Sequence, residues 1–196
     1  MTALLFFGVE MNEERNRVCP VELADSLDGR LRGWLQNPGK ILAPYVREGM
    51  TVLDVGCGPG FYSIEMARMV GVNGKVIAAD LQEGMIEKLR NKIRGSALEG
   101  TIATVRCGKD AINVSDPIDF GLAFYMVHEV PDKAKFFTQI HAILKGDGRF
   151  LVVEPKLFHV SRKEFAATTA IARQCGFVID PGPRLPFSWS AILSAA

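Results

Sequence analysis

The chain has 196 residues, 48% apolar and 23% charged, with a formal net charge of +1. This is ordinary for a globular domain with a full core, and the near-zero balance removes any global electrostatic case for nucleic acid or acidic membranes as partners. Four cysteines, Cys19, Cys57, Cys107 and Cys175, contain no CxxC pair, which argues against a disulfide framework or structural zinc site and for a reducing compartment, the cytoplasm.

In chain order, the first ten residues carry a short apolar run, Ala3 to Val9, without a basic leader and too short to span a bilayer. Met11 stands as an alternative start. The stretch "CPVELADSLDGRLRGWLQNPGKILAPYVREG" fits two or three short helices, with Leu23 and Leu27 on one face and Leu31, Trp34 and Leu35 on another. Pro38 suits a helix start with Asn37 as its cap. Residues 1–48 are therefore expected to form a tail and helical cover, and residues 49–196 the main domain.

From Thr51 the pattern alternates. "TVLDV" reads as a strand buried on both faces. "FYSIEMARMV" has helical periodicity, and Val76 to Asp80 forms a second strand. "QEGMIEKLRNKIR" is amphipathic, "TIATVR" a third strand, and "PIDFGLAFYMV" holds a fourth. "DKAKFFTQIHAILK" predicts a helix, "GDG" a turn and "RFLVVE" a fifth strand. Ser161 and Glu164 predict a capping box before another helix, which Gly176 ends. "FVID" and "PFSWSAIL", with no helix between them, predict an antiparallel hairpin edge. Alternating strands and helices imply an α/β domain with a mainly parallel sheet and a ligand site beyond the strands' C-terminal ends.

"VLDVGCGPG" is the stretch with most chemical content. Gly56, Gly58 and Gly60 follow the first strand and precede a helix, an arrangement that lets a ligand approach bare backbone. The spacing is GxGxG rather than the dinucleotide GxGxxG, and Pro59 removes an amide that a pyrophosphate would use. Asp80 ends the second strand, and a carboxylate, which accepts two hydrogen bonds, suits a cis-diol.

These motifs resemble the class I, Rossmann-like S-adenosylmethionine-dependent methyltransferases. "FGLAFYMVHEVPDKAKFFTQIHAILKGDGRFLVVEP" is similar to the ubiquinone/menaquinone-biosynthesis-type group, and the likeness runs from Met50 to Pro155. The resemblance implies a seven-stranded sheet, helices on both faces and an antiparallel C-terminal hairpin. It implies S-adenosylmethionine as cofactor and S-adenosylhomocysteine as product. Asp54 would brace the loop or face the methionine amine, and Gly56, Gly58 and Gly60 would admit the methionine and ribose portion. Asp80 would bind ribose, Leu81 would pack beside the adenine, and Asp110 would read it. Phe124 and Tyr125 would border the methionyl part and the sulfonium.

The acceptor is not legible. Displacement at a sulfonium needs positioning and exclusion of water, and a base only where the nucleophile must lose a proton. His128, after the fourth strand, is the candidate base, with Glu129 beside it; the bland alternative is a strand-end cap. His159, Glu154 and Cys19 are weaker candidates for facing the acceptor. A soft metal site from Cys19 and the histidines lacks supporting spacing, so no metal is expected. Two other readings stay open at this stage: an NAD-dependent oxidoreductase, since Asp80 also fits an NAD ribose, and a non-catalytic nucleotide-binding module.

Overall fold

Apolar strands whose residues bury alternately on opposite faces must be covered twice, and this determines the architecture. The computed structural model of the chain describes residues 36–156 and 160–195. The expectations for the N-terminal tail, the Leu23, Leu27, Leu31, Trp34 and Leu35 faces, Cys19 and His159 lie outside those residues.

The described elements run α1 (Pro38–Leu42), β1 (Thr51–Val55), α2 (Phe61–Val70), β2 (Lys75–Asp80), α3 (Glu83–Ile93), β3 (Ile102–Arg106) and β4 (Ile118–Phe124). A 3-10 turn (Val127–Glu129), α4 (Lys133–Ile143), β5 (Leu144–Pro155), α5 (Arg162–Gln174), β6 (Phe177–Pro181) and β7 (Ser188–Ala195) complete it. One seven-stranded sheet has the order β3-β2-β1-β4-β5-β7-β6. Strands β1 to β5 are parallel, and β7 pairs antiparallel with both β5 and β6. The sheet and its C-terminal hairpin are those expected.

Alternation builds two cores. Val52, Val76, Ala78, Phe120 and Leu122 face Met66 and Val70 of α2 and Leu89 and Ile93 of α3, together with Ile41 and Leu42 of α1. Leu53, Ile77, Phe150 and Val152 face Phe136, Phe137 and Ile140 of α4 and Ala172 of α5. Burying each such side chain contributes about 1.5–3 kcal/mol.

The caps follow local chemistry. Asn37 accepts from the N–H of Lys40 at 3.0 Å, with Pro38 opening α1. Ser161 and Glu164 form the expected reciprocal box, and Gly176 takes φ 94° just past α5. One expectation is corrected: "GDG" is not a turn outside the sheet. Strand β5 begins at Leu144, which pairs with Ile118, while Arg149 pairs with Phe120, so residues 145–148 bulge out of the ladder.

Strand order reverses beside β1: its neighbours β2 and β4 start opposite halves of the sheet. The crevice at the carboxyl ends of β1 and β4 is where such sheets bind ligands.

Candidate active site

At that crevice lies a cavity of about 400 Å³, the size range of small-molecule sites. The loop after β1 forms its floor. Gly56 and Cys57 both donate their N–H to the carbonyl of Ala79, at 2.8 and 3.1 Å, which stitches the loop to β2. The N–H of Gly58 donates to Oδ2 of Asp80 at 2.9 Å, and the N–H of Gln82 donates to Oδ1 at 2.8 Å. Asp80 is mostly buried, and burial raises its pKa against the opposing pull of the Gln82, Gly58 and Leu81 amides. A carboxylate offers about four lone-pair sites, so these two bonds leave acceptor capacity on both oxygens. That is the acceptor set a vicinal diol requires. Leu81 stands exposed beside it, an apolar surface for a flat base.

The three glycines divide their work. Gly58 lines the cavity, has φ +53° and has open space where a Cβ would stand. A Cβ on Gly56 would lie 2.8 Å from Cγ of Met126, so the β1 and β4 loops touch there. Gly60 does not line the cavity: it opens α2, and its missing Cβ makes room for Leu89. Asp54 lies beneath the loop, buried, and accepts a hydrogen bond from the hydroxyl of Ser63 on α2 while reaching the cavity wall.

The β3 loop supplies one wall. Asp110 is exposed at the cavity edge, and its placement depends on Gln139 of α4. The Gln139 amide donates from Nε2 to the Asp110 carbonyl at 3.1 Å, and Oε1 accepts from the Ile112 N–H at 3.0 Å. Gly108 N–H donates to the Ala111 carbonyl at 2.7 Å, tightening the same turn. Cys107 and Cys57 also line the cavity, and burial pushes their thiols up, Cys107 to about 12.

The β4 end is the other wall. Phe124 packs against Tyr62 and Tyr125, both with ring centroids at 4.5 Å. Tyr125 holds φ +60°, a costly conformation for a non-glycine residue. Its hydroxyl is fastened at both sides. Ser188 Oγ, which donates to the Pro186 carbonyl, lies 2.6 Å away, and Gln36 Nε2 donates to it at 3.1 Å. These bonds aim the ring into the cavity despite the strain.

His128 is not among the described residues lining the cavity; Glu129 is. Glu154, buried at the end of β5, accepts from the N–H groups of Val127 and His128 at 2.9 and 3.1 Å and meets His128 Nδ1 at 2.7 Å. Burial disfavours the imidazolium, but the Glu154 hydrogen bond and the Glu154 and Glu129 charges outweigh it and raise the His128 pKa. Among the described residues there is no cluster fit to hold a metal ion, and no helix is long and apolar enough to cross a membrane.

Thus Asp54, Gly56, Gly58, Asp80, Leu81, Asp110, Phe124 and Tyr125 converge on one cavity, whereas Gly60 and His128 are not among the residues that line it. Gln36 and Gln139 were not anticipated. Gln139 does carry a signal: it is a polar residue three positions after Phe136 and one before Ile140, next to the buried stripe of α4. Gln36 carries none.

The methyltransferase-domain family model matches residues 46–180. The chain is 36% identical over 115 residues to the ubiquinone/menaquinone biosynthesis C-methyltransferase UbiE of Escherichia coli, a match covering 56% of this chain and 44% of that protein. It therefore spans less than half the length of that relative. Among solved structures it is similar to an S-adenosylmethionine-dependent methyltransferase from Aquifex aeolicus, with a TM-score of 0.82 and 24% identity over 91% of this chain and all of that one. It is also similar to a TehB-like methyltransferase from Corynebacterium glutamicum, with a TM-score of 0.69 and 15% identity over 89% and 99% of the two chains. These two likenesses concern the fold. With a family match over most of its length, the chain belongs to the methyltransferase-domain family and has the Rossmann-like fold of the class I S-adenosylmethionine-dependent methyltransferases.

Proposed function

We propose that this chain transfers a methyl group from S-adenosylmethionine to a small acceptor and releases S-adenosylhomocysteine. The observation that carries the reading is Asp80: a buried carboxylate at the end of β2, anchored by the Gly58 and Gln82 amides and still able to accept from a diol. Asp80 would hold the ribose, Leu81 and the Asp110–Ile112 turn the adenine, and the Asp54–Gly58 segment the methionine portion. Phe124 and Tyr125 would border the sulfonium. Gly60 would act indirectly, by letting the loop enter α2. When bound, the cofactor supplies an already activated methyl group. The task left to the protein is alignment and exclusion of water, which suits the aromatic wall of Phe61, Tyr62, Phe124 and Tyr125.

The GxGxG spacing with Pro59 and the family match disfavour an NAD-dependent oxidoreductase. The intact cavity disfavours a non-catalytic module. We assign residues 49–196 to the methyltransferase unit and 1–48 to its cover, in keeping with a family match that begins at residue 46. Widely spaced cysteines, free at Cys57, Cys107 and Cys175, favour a cytoplasmic location.

Calorimetry with S-adenosylmethionine, S-adenosylhomocysteine and NAD tests the donor assignment. The first two should bind and NAD should not. Asp80→Ala should weaken both by at least about tenfold, the worth of a charged hydrogen bond. Unchanged affinity would refute the assignment.

A further inference from the structure

Three segments meet on one hydroxyl. Gln36, ahead of α1, donates from Nε2 to the Tyr125 hydroxyl at 3.1 Å. Ser188, which opens β7, places Oγ 2.6 Å from the same oxygen and donates its own proton to the Pro186 carbonyl at 2.9 Å. A serine has one proton to give, so Tyr125 must donate to Ser188. The hydrogen bonds therefore run in one direction, from Gln36 through Tyr125 and Ser188 to Pro186. They commit the Tyr125 proton, so what this residue offers the cavity is its ring.

The backbone marks both ends of the Tyr125–Ser188 bond. Tyr125 has φ +60°, and Phe187, which precedes Ser188, has φ +52°. Such angles persist only where the surroundings over-determine them, and they concentrate at ligand sites. The surroundings here are the carboxyl end of β5. The Tyr125 N–H donates to the Val153 carbonyl and the Lys156 N–H to the Phe187 carbonyl, both at 2.8 Å, and Pro155 pairs with Ser188. Ser188 itself is buried.

The place of the ring follows from the neighbouring strands. Val55 of β1 pairs with Ala123 of β4, and a Cβ on Gly56 would meet Met126. Residues 124–126 therefore lie against the Asp54–Gly58 loop. A donor with its ribose at Asp80 and its methionine portion on that loop has its sulfur between the two, beside the β4 end. Tyr125 continues a row of rings there, Phe61, Tyr62, Phe124 and Tyr125, with successive centroids 5.1, 4.5 and 4.5 Å apart. An aromatic face attracts a cation and lacks that attraction for its neutral counterpart.

We propose that Ser188 is a positioning residue: it holds the Tyr125 ring at the sulfonium, and the ring then favours the positively charged donor over the neutral thioether product. This rests on the methyltransferase reading above. It gives the site a means of releasing S-adenosylhomocysteine once transfer has removed the charge from sulfur.

The test is calorimetry of S-adenosylmethionine and S-adenosylhomocysteine on the full chain and its variants. The quantity read is the ratio of the two affinities, in which packing losses common to both ligands cancel. Tyr125→Gly removes the ring at a φ that glycine adopts freely. It should shift the ratio about tenfold against the donor, about 1.4 kcal/mol, within the range of a desolvated cation–π contact. Tyr125→Phe and Ser188→Ala each cut the hydroxyl contact and keep the ring. Each should shift the ratio about threefold in the same direction, the worth of one neutral hydrogen bond. Ser188→Thr keeps a hydroxyl and should restore the wild-type ratio. A nitrogen analogue of the donor, with a methylated tertiary amine in place of the sulfonium, separates charge from methyl. NMR of its carbon-13 methyl in the complex should show the amine holding its proton about tenfold less tightly in Tyr125→Gly than in the wild type. Equal losses of both ligands in Tyr125→Gly, an unmoved amine, or a wild-type ratio in Ser188→Ala overturns the proposal. Failure of the wild type to bind either ligand would instead overturn the donor assignment, so the two failures are distinguishable.

Discussion

A Cβ placed on Gly60 would stand 2.3 Å from Cδ1 of Leu89, a side chain buried under the cofactor loop from α3. Gly58, two residues earlier in the same loop, has no atom within 4 Å of that position. Both have positive φ, +91° and +53°. Gly60→Ala therefore combines backbone strain with a core clash and should cost about 3 kcal/mol. The melting temperature should fall by about 8 °C for a chain of this size. Gly58→Ala carries only the strain, about 1 kcal/mol, and adds a methyl to a residue that lines the cavity. Calorimetry should show S-adenosylhomocysteine affinity falling about tenfold, the equivalent of 1.4 kcal/mol. Equal loss of stability in both variants would contradict this division.

Gln139 holds the turn at Asp110–Ile112 by two hydrogen bonds. Gln139→Leu removes both, each worth about 0.5–1.5 kcal/mol. The Ile112 amide should then exchange faster with solvent. Cofactor affinity should drop about fivefold, while the melting temperature moves by only about 3 °C. Exchange at Ile112 unchanged from the wild type would show that the turn holds itself.

Burial raises Cys107 to about 12. At pH 8 its thiolate fraction is then about one part in ten thousand, roughly a thousandfold below that of a thiol with a pKa near the free value. Iodoacetamide should label Cys107 slowly in the native protein and rapidly in urea, read by mass spectrometry of the peptide. Fast native labelling would mean that the cavity wall opens.

The raised pKa of His128 makes a stability prediction of definite sign. The imidazolium is favoured in the folded state, so its contribution is fully present below the unfolded value near 6.5. It is lost as pH rises through the folded value. His128→Gln should therefore cost more stability at pH 5.5 than at pH 9, measured by urea denaturation of both proteins. The reverse order would place the burial penalty above the Glu154 and Glu129 attraction.

Much of the fold is legible in the residues because strand and helix periods differ. The fully apolar β1 and the amphipathic α3 leave little choice, and Ser161 with Glu164 announces α5. The long β5 was not legible. Gly146 and Gly148 read locally as a turn, and only the pairing of Leu144 with Ile118 makes them a bulge inside the sheet. Likewise, Gly56, Gly58 and Gly60 read as three equivalent cofactor contacts. Their different roles depend on Met126 and Leu89, neighbours distant in sequence.

By itself the sequence determined the alternation of strands and helices, the glycine-loop chemistry and the acidic residue at the end of β2, because each depends on residue type at short spacing. Tertiary structure decided which polar groups meet. Gln139 reaches the Asp110 turn, Gln36 reaches Tyr125, and Glu154 reaches His128 from the end of another strand. Those contacts join residues 29, 89 and 26 positions apart. No local pattern encodes them, since a side-chain hydrogen bond depends on distance in space, which only the packed sheet supplies.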